Sequence, residues 1–388
     1  MSATQGPTRP PVLMFVAGEN SGDLHAARVI SELRVLLPGA QMFGFGGDRM
    51  EAAGMELSEN LAQRLPIIGI TQVLANLGAI RELFRRAEAL MDSRKPDLLV
   101  LVDYPGFNLR LARKAARRGI KVIYYISPQL WAWHRSRVNI IRQCVSRMLV
   151  ILPFEKTMYD EENIPATYVG HPLMDDTDTL SPKDDVRARL KLDPQRPVVG
   201  LLPGSRTGEI HRHMPVLLES CRLIQQAVPQ VQWLMPRAGT VAADVLQSYL
   251  ERYSDVKVTV AETDLSSARA IMDFAICKSG TSTLELALLR VPMVIFYKAS
   301  AITALIARRV IKVPFIGLVN IIAGREVAPE LLQGDAAPKQ IAARVTELLK
   351  SPDKLAAMRQ DLDGVAKTLG GPGASRRAAQ EIADAVKR

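Results

Sequence analysis

Cysteine and aromatic residues are scarce in this chain of 388 residues: three residues are cysteine and 5% are aromatic. Cys144, Cys221 and Cys277 lie far apart in the sequence and do not have the spacing of a metal site. A scaffold held together by disulfide bonds is therefore excluded, and a reducing compartment fits this cysteine usage best.

Long apolar runs are missing as well. Because a membrane-spanning helix needs about 18 or more consecutive apolar residues, we predict that no segment crosses a membrane. Residues 1–11 lack the basic segment and the long apolar segment of a signal peptide. Together these absences predict a cytoplasmic protein.

Acidic residues are few in one region only. The net charge is +10, and residues 64–150 hold 16 Lys or Arg against 5 Asp or Glu, which accounts for the whole excess. Nucleic acid, an anionic membrane surface or an anionic substrate would each suit such a region, and an ordinary solvated basic face is a fourth explanation. With 48% hydrophobic residues, the chain is long enough for two globular domains, each with its own core.

A short apolar run, Leu98 to Val102, is the clearest strand signal in the first half. An unbroken run of this length, bounded by turn residues, is typical of a central parallel strand that is covered on both faces. Asp103 follows it directly, and ligands in open α/β sheets bind beyond the carboxyl ends of the strands. Asp103 is therefore a candidate for chemistry, although an aspartate here also serves to cap the turn or the next helix.

Strands and helices alternate along the rest of the first half. We predict further strands at 12–17, 41–47, 121–127, 147–153 and 166–170. A helix should begin near Ser21 or Asp23, which are good N-cap residues. The glycines at 44–47 do not complete a G-x-G-x-x-G fingerprint, so they indicate a dinucleotide site only weakly.

Residues 65–91 carry apolar side chains at helical spacing, with Arg81, Arg85 and Arg86 on the other face. Such an amphipathic helix either lies on a membrane surface or packs onto the sheet. Further on, two tryptophans stand beside His134 and Arg135 within 127–135. They would suit the wall of a sugar or acyl-acceptor site, or a core with a basic rim.

The composition changes at 173–195, which is polar, acidic and interrupted by Pro182, as expected of a linker between domains. Asp176 and Asp178 have the spacing of a metal-binding pair, but a solvated linker is the simpler explanation for them. Alternation then resumes, and we predict strands at 197–202, 231–235, 256–261, 274–277 and 292–297.

Two loops of small residues join strands to helices in the second half: P-G-S-R-T-G-E at 203–209 and K-S-G-T-S-T-L-E at 278–285. Each combines free backbone amides, a helix N-terminus and a cation, Arg206 or Lys278, which favours a phosphate ligand. Neither loop is a Walker A motif, and two of them in one domain favour a diphosphate. His211 and His213 lack the partners of a metal site, so we interpret them as surface histidines.

Two α/β domains with phosphate loops in the second leave three classes of function open. One is a glycosyltransferase that uses a nucleotide sugar, and another is a nucleotide-sugar isomerase of similar build. The third is a binding protein without catalytic activity, which the missing signal peptide disfavours.

Nine motifs along the chain resemble those of the lipid A disaccharide synthase family. They are A-G-E-N-S-G-D at 17–23, G-F-G-G-D-x-M at 44–50, D-Y-P-G-F-N at 103–108, S-P-Q-L-W-A-W at 127–133, P-F-E at 153–155, V-G-H-P-L at 169–173, L-L-P-G-S-R at 201–206, K-S-G-T-S-T-L-E at 278–285 and N-I-I-A-G-R-E at 320–326. Departures such as Asn20 and Tyr104 do not touch the charged positions of these motifs.

The resemblance implies an α/β protein with the GT-B fold: two Rossmann-like domains whose parallel sheets face a central cleft. Residues 1–172 would form the acceptor-side domain, completed by C-terminal helices from about 353 to 388. Residues 173–195 would be the linker, and residues 196–352 the domain that binds the UDP-sugar.

The implied reaction joins UDP-2,3-diacylglucosamine to 2,3-diacylglucosamine 1-phosphate and gives the β-1′,6-linked lipid A disaccharide and UDP. It inverts the donor carbon in one displacement, so a single base suffices, and no metal or other cofactor is expected. The partners would be these two lipids and the cytoplasmic face of the inner membrane, contacted peripherally by the basic region. No nucleic acid is expected, and the resemblance allows a homodimer.

The resemblance also assigns residues. Asp103 would be the general base, with Glu19 nearby. The donor or UDP would be bound by Ser205, Arg206, Lys278, Ser279, Gly280, Thr281, Ser282, Thr283, Glu285, Lys312 and Asn320. The acceptor-side candidates are Asn108, Gln129, Trp131 and His134.

Overall fold

The chain divides into two compact units in a computed structural model, which describes residues 9–61, 77–130, 137–299 and 313–387. One unit comprises Met1–Asp175 and Leu369–Arg388, and the other comprises Asp176–Thr368. Among the described residues, no helix has both the length and the apolar character needed to cross a bilayer.

The first unit is built on a seven-stranded parallel sheet with the strand order β3-β2-β1-β4-β5-β6-β7. Its strands are β1 (Val12–Ala17), β2 (Gln41–Gly46), β3 (Glu56–Asn60), β4 (Leu98–Val102), β5 (Lys121–Tyr125), β6 (Arg147–Val150) and β7 (Ala166–Tyr168). The helices are α1 (Asn20–Leu36), α2 (Asp48–Ala52), α3 (Leu77–Arg94), α4 (Pro105–Ala116), α5 (Val138–Cys144), α6 (Pro153–Glu161) and, at the C-terminal end, α15 (Ala374–Lys387).

Strand β4 lies in the middle of this sheet and is buried on both faces, as its unbroken apolar run predicts. Leu99 and Leu101 face a core that includes residues of α3 and α4. Leu98, Val100 and Val102 face the opposite core, which includes residues of α1 and α15. Helices therefore cover both faces, and the carboxyl end of β4 opens at one edge of the sheet.

Helix α3 is the described part of the predicted amphipathic segment. Leu83, Ala87 and Met91 are buried in the core against the sheet, and Phe84 stacks on Phe107 with ring centroids 4.3 Å apart. Packing therefore accounts for the apolar face of α3, whereas residues 65–76 lie outside the described residues.

The second unit contains a six-stranded parallel sheet with the strand order β10-β9-β8-β11-β12-β13. Its strands are β8 (Val198–Leu202), β9 (Gln232–Pro236), β10 (Val258–Ala261), β11 (Phe274–Lys278), β12 (Met293–Tyr297) and β13 (Glu330–Leu332). The helices are α7 (Lys183–Arg189), α8 (Thr207–Ala227), α9 (Ala243–Arg252), α10 (Leu265–Ala270), α11 (Ser282–Leu288), α12 (Leu318–Ala323), α13 (Pro338–Leu349) and α14 (Pro352–Thr368).

The strands predicted from apolar runs are all present, with boundaries that differ by a few residues. Strands β3 and β13, which lie at the edges of the sheets and are short, were not predicted. Both begin with a glutamate and have no fully apolar run. An edge strand needs only one neighbouring strand, so its sequence carries a weaker signal than that of a central strand.

The segment predicted as a solvated linker contains ordered structure. A 3₁₀ helix spans Pro172–Thr179 and α7 follows it. Val186 of α7 is buried, and Arg189 pairs with Asp264 at 2.8 Å. At the other end of the chain, α14 belongs to the second unit, so the chain rejoins the first unit at Leu369 and not near residue 353.

Candidate functional site

Asp103 and Glu19 follow two neighbouring parallel strands, because β1 pairs with β4 and Ala17 lies opposite Val102. Asp103 and Tyr104 both have a φ of 48°, in the left-handed region that residues with a β-carbon rarely occupy. Each such residue costs about 1–3 kcal/mol and persists only where its surroundings hold it in place. The turn after β4 is therefore a strained part of the first unit.

Three hydrogen bonds hold the backbone of Asp103. The Tyr124 hydroxyl donates to the Asp103 carbonyl at 2.6 Å, and the Asn108 side-chain amide donates to the same oxygen at 2.7 Å. The Asp103 amide donates to the Tyr125 carbonyl at 2.9 Å. Because these bonds use the main chain, they fix the strained turn while the half-buried carboxyl group lies at the carboxyl edge of the sheet.

Asn108 is predicted on the acceptor side, but its side chain is completely buried. Its amide nitrogen lies within hydrogen-bonding distance of three carbonyls, those of Val16, Val102 and Asp103. Asn108 thus ties the ends of β1 and β4 together beneath the turn. Tyr124, which donates to the same Asp103 carbonyl, was not among the predicted site residues.

Glu19 is the N-cap residue of α1, although its side chain makes no capping hydrogen bond. The ring of Tyr104 lies directly over Gly18, where a β-carbon would come within 2.2 Å of the ring carbon Cδ1. Burial, and then the charge of Glu19, raise the pKa of the Tyr104 hydroxyl. Gly18 is therefore needed to accommodate Tyr104 beside Glu19.

Asp23 was predicted as an N-cap of α1, but it lies in the first turn of that helix and caps α2 instead. Its carboxylate accepts the backbone amides of Arg49 at 3.3 Å and Met50 at 3.1 Å. A β-carbon on Gly47 would lie 2.7 Å from the same carboxylate. The motifs at 17–23 and 44–50 therefore meet through a structural contact between Asp23 and the start of α2.

Of the remaining acceptor-side candidates, only Gln129 lies among the described residues. Gln129 is exposed just after β5, whereas Trp131 and His134 lie outside the described residues. Ser127 is buried, and its hydroxyl lies 2.8 Å from that of Tyr159.

The two predicted phosphate loops of the second unit lie at the ends of the neighbouring strands β8 and β11. Lys278 Nζ lies 2.9 Å from Glu209 Oε1, and an Arg206 guanidinium nitrogen lies 3.7 Å from the same oxygen. Glu209 Oε2 accepts the backbone amide of Ser205 at 3.2 Å. Burial raises the pKa of Glu209, but Lys278, Arg206 and the Ser205 amide together hold it below its usual value. Both predicted cations therefore converge on one carboxylate.

The loop after β11 is held by its own side chains. Ser279 Oγ donates to the Ile316 carbonyl at 2.8 Å, and Thr283 Oγ1 donates to the Gly280 carbonyl at 2.7 Å. Gly280 has a φ of 158°, near the limit of the left-handed region, and Thr281 is exposed. Within the described part of the chain, the backbone amides of Gly280, Thr281 and Ser282 donate to no acceptor. These three amides are the ones with which this loop can bind an anion.

His213 was interpreted as a surface residue, and this was wrong: it is completely buried, whereas His211 is exposed. Its Nδ1 lies 2.7 Å from the Pro203 carbonyl and its Nε2 lies 3.2 Å from the Lys298 carbonyl. Burial lowers the pKa of His213, so the neutral ring is favoured between these two oxygens. His213 thereby links the loop after β8 to the chain that leaves β12.

Two residues predicted to contact the donor have partners within the protein. Asn320 is completely buried, and its amide accepts from the backbone of Val327 and Ala328 and donates to Ala328 and Glu330. Its hydrogen-bonding capacity is thus used inside the fold, which gives it a structural role. Glu285 is half-buried and pairs with Arg269 at 3.2 Å. Lys312 lies outside the described residues.

No group of three or more His, Cys, Asp or Glu side chains within the described ranges is arranged to hold a metal ion. The chemical groups that the structure does bring together are the cations and amides of the two loops in the second unit. In the first unit, Glu19 and Asp103 follow the neighbouring strands β1 and β4.

Comparison with known proteins identifies one family. The model of the family described as lipid-A-disaccharide synthetase matches residues 13–385. A lipid-A-disaccharide synthase from Trichlorobacter lovleyi is 41% identical over 380 residues, which cover 98% of this chain and 99% of the relative.

Solved structures show the same fold at low sequence identity. The structure of S. aureus MnaA with UDP has a TM-score of 0.67 at 10% identity and covers 96% of each chain. The calicheamicin glycosyltransferase CalG4 has a TM-score of 0.61 at 17% identity, covering 98% of this chain and 99% of its own. Both sheets are parallel with interleaved helices, and the fold is of the GT-B type.

Proposed function

Since this chain belongs to the lipid-A-disaccharide synthetase family and is therefore a glycosyltransferase, we propose that it joins UDP-2,3-diacylglucosamine to 2,3-diacylglucosamine 1-phosphate. The products are the β-1′,6-linked disaccharide 1-phosphate and UDP. The observation that carries the donor side of this proposal is the convergence of Lys278 and Arg206 at the ends of neighbouring strands.

Donor binding is assigned to the second unit. The diphosphate of UDP would be bound by Lys278, Arg206 and the backbone amides of Gly280, Thr281 and Ser282, which are groups that bind phosphate in proteins. The structure of S. aureus MnaA carries UDP on the same fold, which supports this assignment. Glu285, predicted to bind the donor or UDP, would have to exchange its contact with Arg269 for one with that ligand.

The chemical step is a single displacement with inversion. The acceptor 6-hydroxyl oxygen forms the new bond to the donor anomeric carbon while the bond from that carbon to the UDP oxygen breaks, and its electron pair leaves with UDP. Asp103 takes the hydroxyl proton as general base, with Glu19 assisting from the neighbouring strand end. Arg206 and Lys278 stabilise the charge on the leaving diphosphate.

Because both substrates carry acyl chains, we expect the protein to contact the membrane. We assign this contact to the first unit, which contains the basic region 64–150. Arg85 and Arg86 of α3 are poor candidates, since Glu82 pairs with both and Glu59 also pairs with Arg86. Better candidates are three exposed arginines on α4 and at its C-terminal end that have no ion pair within the described ranges: Arg110, Arg113 and Arg117. Their spacing places them on one face of the helix, which would attract anionic lipid headgroups.

The test is incubation with both substrates, followed by mass detection of the disaccharide phosphate. We expect the disaccharide only when donor and acceptor are both present. Conversion of the donor alone would indicate an isomerase, and binding of both without conversion would indicate a binding protein. Either result would refute the proposed reaction.

A further inference from the structure

Glu209 lies at the point where the anion-binding groups of the second unit converge. One carboxylate oxygen pairs with Lys278 at 2.9 Å and faces Arg206 at 3.7 Å. The other accepts the Ser205 amide at 3.2 Å. A β-carbon on Gly204 would come within 2.3 Å of that second oxygen. One side-chain carboxylate therefore uses both cations and an amide of the first phosphate loop.

Both members of the Lys278–Glu209 pair are largely buried. The side chains of Lys278 and Glu209 are only 17% and 10% exposed. Removing the partner of a buried cation strongly destabilises the folded protein, because the cation is then neither paired nor hydrated. Glu209 therefore neutralises the positive charge of Lys278 within the folded protein. A diphosphate bound to the same groups would also neutralise this charge.

We propose that Glu209 is an internal competitor of the donor diphosphate: it pairs with Lys278 and Arg206, and gives them up when UDP or the UDP-sugar binds. This inference rests on the proposed function, because it concerns the diphosphate assigned to these loops. As a consequence of this competition, the two cations of the donor site remain paired when no nucleotide is bound, and UDP is released after each turnover. The competition lowers nucleotide affinity, since two anions repel each other at a site built for one.

The opposite role for Glu209 makes an opposite prediction. If Glu209 only positioned Lys278 for the diphosphate, its removal would disorder the lysine and weaken nucleotide binding. If Glu209 competes with the diphosphate, UDP should bind more tightly after Glu209 is removed. The sign of the change in UDP affinity therefore separates the two roles.

The experiment measures UDP affinity by calorimetry for the wild type, Glu209→Gln and Glu219→Gln. Glutamine keeps the shape of Glu209 and an oxygen for the Ser205 amide, but it carries no charge. Glu219 lies on the same helix and pairs with half-buried Arg222, so its variant matches the loss of charge away from the loops. We expect Glu209→Gln to bind UDP at least about tenfold tighter than the wild type and to release it more slowly. Glu219→Gln should bind as the wild type does.

Thermal unfolding provides a second readout. Without UDP, Glu209→Gln should melt below the wild type, because Lys278 loses its partner. Saturating UDP should raise its melting temperature by more than it raises that of the wild type. If Glu209→Gln does not fold, Glu209→Asp serves instead: its shorter side chain weakens the contact with Lys278, and UDP should again bind tighter.

Unchanged or weaker UDP binding by Glu209→Gln, or by Glu209→Asp in its place, would overturn the inference while leaving the proposed function intact. Equal tightening in Glu219→Gln would overturn it too, because net charge alone would then explain the effect. A wild-type protein that does not bind UDP would instead refute the donor site itself, and the competitor with it.

Discussion

The hydroxyl of Tyr124 donates a hydrogen bond of 2.6 Å to the main-chain carbonyl of Asp103. Tyr124 is completely buried on β5, and Asp103 lies in the left-handed turn after β4. Burial, and then the charge of Asp103, raise the pKa of the Tyr124 hydroxyl well above its usual value, so the hydroxyl remains a donor. A buried tyrosine thus helps to set the backbone that carries the proposed base.

Removing this hydroxyl tests whether it positions the base. We expect Tyr124→Phe to lower turnover about three- to tenfold, because a neutral hydrogen bond contributes about 0.5–1.5 kcal/mol. UDP affinity should not change, since the donor loops belong to the other unit. Tyr159→Phe is the control: Tyr159 is also buried, but its hydroxyl contacts Ser127. Equal loss of turnover in both variants would show that the effect is one of general stability.

Asp103→Asn tests the general base itself. Asparagine tolerates the left-handed conformation as aspartate does, so the turn and the melting temperature should be retained. Turnover should fall by about 10²–10⁴-fold, the usual contribution of a general base. UDP affinity, measured on the same preparation, should stay near that of the wild type. Near-normal turnover with an intact fold would transfer the role to Glu19.

Vesicle binding tests the three arginines on α4 and at its C-terminal end. Replacing Arg110, Arg113 and Arg117 with glutamine should weaken binding to anionic vesicles by about 1 kcal/mol per charge. The control variant loses three arginines that already pair with carboxylates of the same unit: Arg85, Arg94 and Arg118.

The two triple variants have the same net charge, so they should differ only if the α4 arginines contact the vesicle directly. Activity on substrates dispersed in detergent should survive in the α4 variant. Equal losses of vesicle binding would assign the interaction to the overall charge of the protein. No loss in either variant would exclude α4 as a contact surface.

His171 should make stability depend on pH. Burial, and then the charge of His25, lower the pKa of His171 to about 3, against the opposing effect of Asp175. The unfolded chain takes up a proton on this histidine near pH 6.5 and the folded protein does not. Stability should therefore fall as the pH decreases below about 6.5, and the loss should continue toward the folded pKa.

His171→Asn should remove this dependence, because asparagine does not titrate. Its side-chain oxygen can accept the Leu173 amide that now donates to Nδ1. We expect the melting temperature of His171→Asn to improve relative to the wild type as the pH falls from about 7 to about 5. The exposed His211 provides the control variant, His211→Asn, which should follow the wild type. If the difference between His171→Asn and the wild type is constant with pH, His171 is not the titrating group.

Local sequence was sufficient for the central strands and for the places where chemistry could occur. The unbroken run at 98–102 specified a buried strand, because only a strand covered on both faces requires apolar residues at every position. Asp103, Arg206 and Lys278 could be selected because each stands at the end of such a strand. The motifs were sufficient for the family, since they match along most of the chain.

Tertiary structure alone decided which polar residues are consumed within the fold. Asn108, Asn320 and His213 were predicted to be surface or ligand-binding residues, yet each is buried and hydrogen-bonded to main-chain groups of other segments. Glu209 and Lys278 are distant in sequence and became partners only because β8 and β11 are neighbours in the sheet. Hydrogen bonds and ion pairs of this kind depend on strand order and side-chain packing, neither of which a local run of residues encodes.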